Sequence, residues 1–169
     1  MEQIPEEYLP TTFRDAVNTA RRLKVRYLWI DALCLLQKNE KEWLAEAPRM
    51  QHIYSNSYVS LAAVSANNCD QGLFRKRKAA SAPPCVAEVK WAYQSLTCRI
   101  VRDDMWRGEI LGESLYTRGW VVQERLLSPR VLHFQRWQIY WQCPSLTACE
   151  NVPNGLSTIV DVERREEFR

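Results

Sequence analysis

Between Pro10 and Leu23 the sequence reads PTTFRDAVNTARRL, and Phe13, Ala16, Val17, Ala20 and Leu23 recur at steps of three and four. That spacing puts five apolar side chains on one face of a helix. Thr12, with Asp15 three residues on, fits an N-cap in a variant of the capping box. The pattern then changes abruptly. YLWI, Tyr27 to Ile30, is short, aromatic and β-branched, and predicts a buried strand ending at Asp31. An amphipathic helix joined by a short link to a buried strand commits the chain to α/β layering.

The rest of the chain repeats that theme. NEKEWLAEAPRMQHIYSNS predicts a second helix with Trp43, Met50, Ile53 and Tyr54 facing inward. Pro48 removes one backbone bond and crowds the preceding turn, so this helix is expected to kink or to restart near Ala47. YVSLAAVSA predicts a second central strand and NNCDQG a turn. VAEVKW and LTCRIV read as a strand pair, Arg118 opens a helix that ends at Ser128-Pro129, and RVLHF and QIYWQC read as further strands. The expectation is a single domain over residues 1–169. It has a central, mostly parallel sheet flanked by helices, plus a β-rich C-terminal part. Residues 74–84 form a loop whose basic run, Arg75 to Lys78, reads as solvated; a nuclear address or a phosphate-binding patch is the alternative. Residues 156–169 read as a charged tail.

Composition narrows the partners. Apolar residues make up 46% of the 169 and charged residues 25%, enough for one core. A net charge of +3 argues neither for nucleic acid nor for a membrane surface. No apolar run approaches the roughly 18 residues of a membrane span. The start, MEQIPEEYLP, is acidic and lacks the apolar core of a signal peptide. A cytoplasmic chain is expected, its six cysteines mostly free thiols. With no CxxC and only two histidines, no metal site is expected. Cys34 lies in the apolar run DALCLLQ and reads as a small hydrophobe rather than as a nucleophile paired with His133.

One residue breaks the apolar logic. In RGWVVQERLL the helical neighbours of Glu124 are Trp120, Val121, Leu127 and Ser128, and none is a cation. Glu124 is either a functional carboxylate or a tie to a backbone group or to a distant arginine such as Arg130. Asp31 and Ser65 fall at the carboxyl ends of the two expected central strands, the rim of the ligand crevice in open parallel sheets. For Asp31 a helix N-cap or a loop turn serves equally well. Glu46 has Arg49 three residues on and reads as a surface ion pair.

The blocks LPTTFRDAV, RYLWIDALCLLQ, EWLAEAPRMQHIYSNSYVSLAA, GLFRKR and TRGWVVQERLLSPRVLHF follow one another in order. In them the chain resembles the HET (heterokaryon incompatibility) domain of filamentous fungi, over residues 9–143. The resemblance implies a role in nonself recognition and programmed cell death, through self-association or contact with other incompatibility proteins. HET domains in turn resemble, remotely, the Toll/interleukin receptor (TIR) domains, some of which cleave NAD with one glutamate on a helix. That helix carries a tryptophan a few residues earlier, in a pattern like Trp-Cys-x-x-Glu-Leu, and WVVQERL is similar to it. By that likeness Glu124 is the catalytic candidate. Arg118, Trp120, Asp31 and Ser65 are the substrate-binding candidates, and NAD is a substrate rather than a cofactor. HET domains usually begin with a strand block like Leu-Ser-Tyr-x-Trp-Gly. None precedes Pro10 here, so a first strand is expected to be missing. A non-catalytic death-signalling module and an inactive remnant are the alternatives.

The proposed chemistry suits a lone carboxylate. Breaking the nicotinamide–ribose bond passes through an oxocarbenium-like transition state, as in glycoside hydrolysis. Nicotinamide leaves as a neutral base and needs no acid to protonate it. A poorly solvated carboxylate interacts strongly with the developing positive charge, and desolvation raises its pKa.

Overall fold

The computed structural model describes residues 4–36, 39–76, 85–91, 93–100, 110 and 113–156. Four helices stand in it: α1 (Thr11–Arg22), α2 (Asp31–Cys34), α3 (Glu40–Ser55) and α4 (Gly119–Leu127). Six strands accompany them: β1 (Ser60–Ala62), β2 (Cys85–Trp91), β3 (Gln94–Ile100), β4 (Val131–Phe134), β5 (Ile139–Cys143) and β6 (Leu146–Cys149). The main sheet runs β1-β4-β5-β6, and β2 and β3 form a separate antiparallel pair. β1 lies parallel to β4, with Leu61 opposite Leu132; β4, β5 and β6 are antiparallel. The chain is thus a mixed α/β fold with the expected β-rich C-terminal part. One pair in the main sheet is parallel.

Alternation along the strands decides what each face of the sheet holds. Leu61, Ala63, Leu132, Phe134 and Ile139 pack on one side with Leu73 and with Ala16 of α1. Ala62, Val64 and Tyr140 pack on the other with Ile110, Tyr116 and Val121 of α4. The sheet is therefore covered by α1 on one face and by α4 on the other, and α3 lies against α4. At the far edge, β6 is closed by the returning chain, through the bridge Cys149–Val152 and a bond from the Leu156 N–H to the Thr147 carbonyl at 2.7 Å.

Three expectations are corrected. Tyr27–Ile30 is no strand. The backbone is extended at Ile30 (φ −132°, ψ 119°), but Tyr27 is 77% and Leu28 37% exposed. β propensity describes a side chain that fits a pleated surface, and a strand also needs a neighbouring backbone. No described strand pairs with these residues. Only Trp29 and Ile30 turn inward, Trp29 onto Tyr54 and Ile30 onto the α1 side of the sheet. Of the two strands expected at the centre of the sheet, the first is therefore not met, and the second is the short, half-buried β1 at the end of the described strand order.

The α1 start is the second. Its N-cap is Pro10, with no side-chain cap. Thr12 and Asp15 instead hold the loop after β1: the Gly72 N–H donates to Thr12 Oγ1 (3.1 Å) and the Leu73 N–H to Asp15 Oδ2 (2.8 Å). The loop returns the favour, since the Cys69 carbonyl accepts the Thr12 N–H at 2.8 Å, satisfying an orphan donor of the first turn. Gly72 is needed there. Its φ is +77°, and a Cβ would sit 2.6 Å from Asp15 Oδ2. Third, of the two outcomes expected at Pro48, the restart near Ala47 is not met: α3 runs from Glu40 to Ser55 with Pro48 inside it. The predicted charged tail beyond residue 156, and the basic loop from residue 77 to 84, lie outside the described residues.

Candidate functional site

Helices α3 and α4 leave a cleft of about 130 Å³ between them. Ala47, Pro48, Met50, Gln51 and Tyr54 line it from α3, and Trp120, Gln123, Glu124 and Leu127 from α4. The i, i+4 and i, i+3 steps from Trp120 to Glu124 to Leu127 are what place these three on one side of α4. Two aromatic contacts brace the walls. Trp43 meets Trp120 edge to face (5.9 Å, 84°), and Trp29 meets Tyr54 likewise (5.7 Å, 80°). Such pairs add about 0.5–1.5 kcal/mol beyond the area they bury.

Glu124 is half-buried, and its carboxyl is held above the ordinary carboxylate value. Desolvation is the main cause. The Tyr54 hydroxyl, as donor to the carboxylate, pulls the other way; the negative charge of Asp31 raises the pKa again, and Arg118 lowers it. Burial and the nearby Glu124 together push the Tyr54 phenol well above its usual range, so it stays protonated and remains a donor. Glu124 is thus not partnerless. Its partner is a neutral tyrosine on the facing helix, which leaves the carboxyl poorly solvated and without a direct cation on the cleft lining.

The backbone under Glu124 is tied to the sheet. The Ser128 hydroxyl donates to the Glu124 carbonyl (2.7 Å), which leaves it to accept from the Ser60 hydroxyl of β1 at 2.6 Å. Arg130 is engaged elsewhere: it donates to the Tyr58 carbonyl at 3.1 Å and lies over the Tyr58 ring. The tie from Glu124 to Arg130 that the sequence left open is therefore absent.

The other expected site residues divide. Asp31 and Arg118 come within electrostatic reach of Glu124, Arg118 as the N-cap residue of α4 and Asp31 as the first residue of α2. Asp31 also accepts the Ala32 N–H at 2.7 Å, so the turn role and the site role coexist. Trp120 lines the cleft and is 58% exposed. Ser65 is drawn away. Its hydroxyl and carbonyl take the Arg75 guanidinium (3.5 and 2.5 Å), which also bonds Gln71. That pairing turns the first residue of the basic run inward. Glu46 pairs with Arg49 at 2.7 Å on the surface, as its spacing implies.

Cys34 is exposed, whereas His133 is 0% exposed, so they form no nucleophile pair. His133 belongs to a buried polar chain. Its Nδ1 meets the Tyr116 hydroxyl and its Nε2 lies 2.9 Å from Gln142 Oε1. The Arg125 Nε also donates to that oxygen at 3.3 Å. An acceptor shared with arginine fixes the tautomer: Nε2 carries the proton, and Nδ1 accepts from Tyr116. Desolvation pushes the His133 pKa down to about 3. Tyr54, Ser128 and this chain were the functional neighbours that residue patterns missed. An inward-facing tyrosine on an amphipathic helix was the available signal, because a buried phenol needs a partner.

A mixed α/β domain carrying an aromatic, acidic cleft between two helices on one face of its sheet is what these residues define. The family model of heterokaryon incompatibility proteins (HET) matches residues 2–124, well over half of the chain, which therefore belongs to the heterokaryon incompatibility family. No curated protein and no solved structure matches it. No helix among the described residues is long and apolar enough to cross a membrane.

Proposed function

We propose that this HET protein acts in the cytoplasm in nonself recognition and programmed cell death, and that it does so by cleaving NAD at Glu124. The half-buried carboxylate of Glu124, set in an aromatic cleft with a raised pKa, carries this reading. An engineered cavity of about 150 Å³ holds benzene, so a cleft of about 130 Å³ takes one ring and not a dinucleotide. The nicotinamide end would enter beside Trp120, with the rest of NAD along the exposed Arg118 side of α4. As the C1′–N bond breaks, its electron pair leaves on the nicotinamide nitrogen and the ribose becomes oxocarbenium-like. The Glu124 carboxylate accepts a ribose hydroxyl proton in a hydrogen bond and offsets that charge. Water attacks C1′, its proton passes to solvent, and the products are ADP-ribose and nicotinamide.

The test is nicotinamide release from NAD by the purified chain. Glu124→Gln keeps the shape and removes the charge, and should abolish release. Glu46→Gln should leave it near wild type. Equal rates in wild type and Glu124→Gln would overturn the proposal. A second reading, a non-catalytic module working by self-association or by contact with other incompatibility proteins, is favoured by the exposed Leu33, Leu36, Trp43 and Leu44. It predicts concentration-dependent oligomers that persist in Glu124→Gln.

A further inference from the structure

The lining of the α3–α4 cleft is one-sided in charge as well as small. Nine residues line it, among them Trp120, Tyr54 and Met50, and none is a lysine or an arginine. Its one ionisable carboxylate, Glu124, shares the lining with two aromatics contributed by different helices, Tyr54 of α3 and Trp120 of α4. Each wall is held by an aromatic outside the cleft, Trp43 behind Trp120 and Trp29 behind Tyr54, so little ordering is left to be done on binding. Aromatic faces attract cations through the ring quadrupole, most strongly for tryptophan. A hard metal ion needs several oxygen ligands, which this mostly apolar lining does not offer. A bare ammonium is strongly hydrated and would lose that shell against Pro48, Met50 and Leu127.

We propose that the cleft is a binding site for a compact organic cation whose charge is delocalised over a ring or shielded by methyl groups, with Trp120 and Tyr54 as walls and Glu124 as counter-ion. The proposal shares its location with the NAD-cleavage reading and rests on that reading's assignment of the cleft, but it requires no bond to break. N-alkylpyridinium rings and methylated ammoniums are the two sources of such a charge.

The probes are 1-methylnicotinamide, its neutral counterpart nicotinamide, and choline, titrated calorimetrically into the full chain. The methylated cation should bind about tenfold more tightly than nicotinamide. Glu124→Gln should erase that preference, and Trp120→Ala should weaken both cations. Whichever of 1-methylnicotinamide and choline binds more tightly assigns the source. Equal affinity for nicotinamide and its methylated cation would overturn the proposal, as would a preference that survives in Glu124→Gln, or no cation binding at millimolar concentration. Cation preference without NAD turnover would refute the hydrolysis reading alone. Turnover without cation preference would refute this one alone.

Discussion

His133 makes the fold acid-sensitive in a window where carboxylates are still ionised. In the unfolded chain a histidine titrates near 6.5; in the folded chain burial holds His133 at about 3. The folded state therefore binds fewer protons than the unfolded state between these values, so stability rises with pH across that window. The effect is absent above about pH 6.5 and grows as pH falls toward 3. At pH 5.5, one unit below the unfolded value, it costs about 1.4 kcal/mol. For a chain of this size that lowers Tm by roughly 3–6 °C. Glu124 acts in the opposite direction: its raised folded pKa adds stability as pH falls through that raised value toward the ordinary one. The measurement is therefore made in Glu124→Gln, by thermal unfolding between pH 7.5 and 5.5, with His133→Gln in the same background as the comparison. The slope should be present in the first and lost in the second. Nitrogen NMR supplies a check that needs no second variant to fold: the His133 ring should remain neutral, protonated on Nε2, at pH 5. A flat stability profile, or an imidazolium signal at His133 at pH 5, would refute the reasoning.

Removing the Tyr116 hydroxyl with Tyr116→Phe leaves the buried Nδ1 of His133 without its donor and should cost about 1–3 kcal/mol in urea unfolding. Gly72→Ala must strain a positive φ and displace Asp15 Oδ2, so a loss above about 1 kcal/mol is expected in the same assay. Glu46→Gln breaks an exposed pair with Arg49 and should change stability by less than about 1 kcal/mol. Tyr54→Phe removes a donor from the Glu124 carboxylate and should raise its pKa further; if turnover needs the ionised form, the acid limb of the pH–rate profile for NAD hydrolysis moves to higher pH.

Elements defined by their own side-chain period were legible in the sequence: the helices α1, α3 and α4, the pair β2–β3, and the strands at Val131–Phe134 and Ile139–Cys143. What escaped was whatever depends on a distant partner. Tyr27–Ile30 has strand chemistry but no described strand beside it. Thr12 and Asp15 have capping chemistry, yet their oxygens hold N–H groups about 60 residues away in sequence. Glu124 stood out because its helical neighbours are apolar, and it does line a cleft. Its donor, Tyr54, lies 70 positions earlier, and no local spacing could pair them. Ser65 was placed by strand-end topology alone, which could not foresee that Arg75, ten residues on, would claim it.

The hydroxyl chain from Ser60 through Ser128 to the Glu124 carbonyl joins an edge strand to the last turn of α4. With links of 2.6 and 2.7 Å there is no slack in it. Short hydroxyl bonds weaken quickly when stretched, so a displacement of β1 by even an ångström must either break the chain or carry the helix end with it. Strand β1 and the Glu124 backbone are thus tied through two side-chain hydroxyls, so the register of that strand sets where the last turn of α4 sits above the sheet.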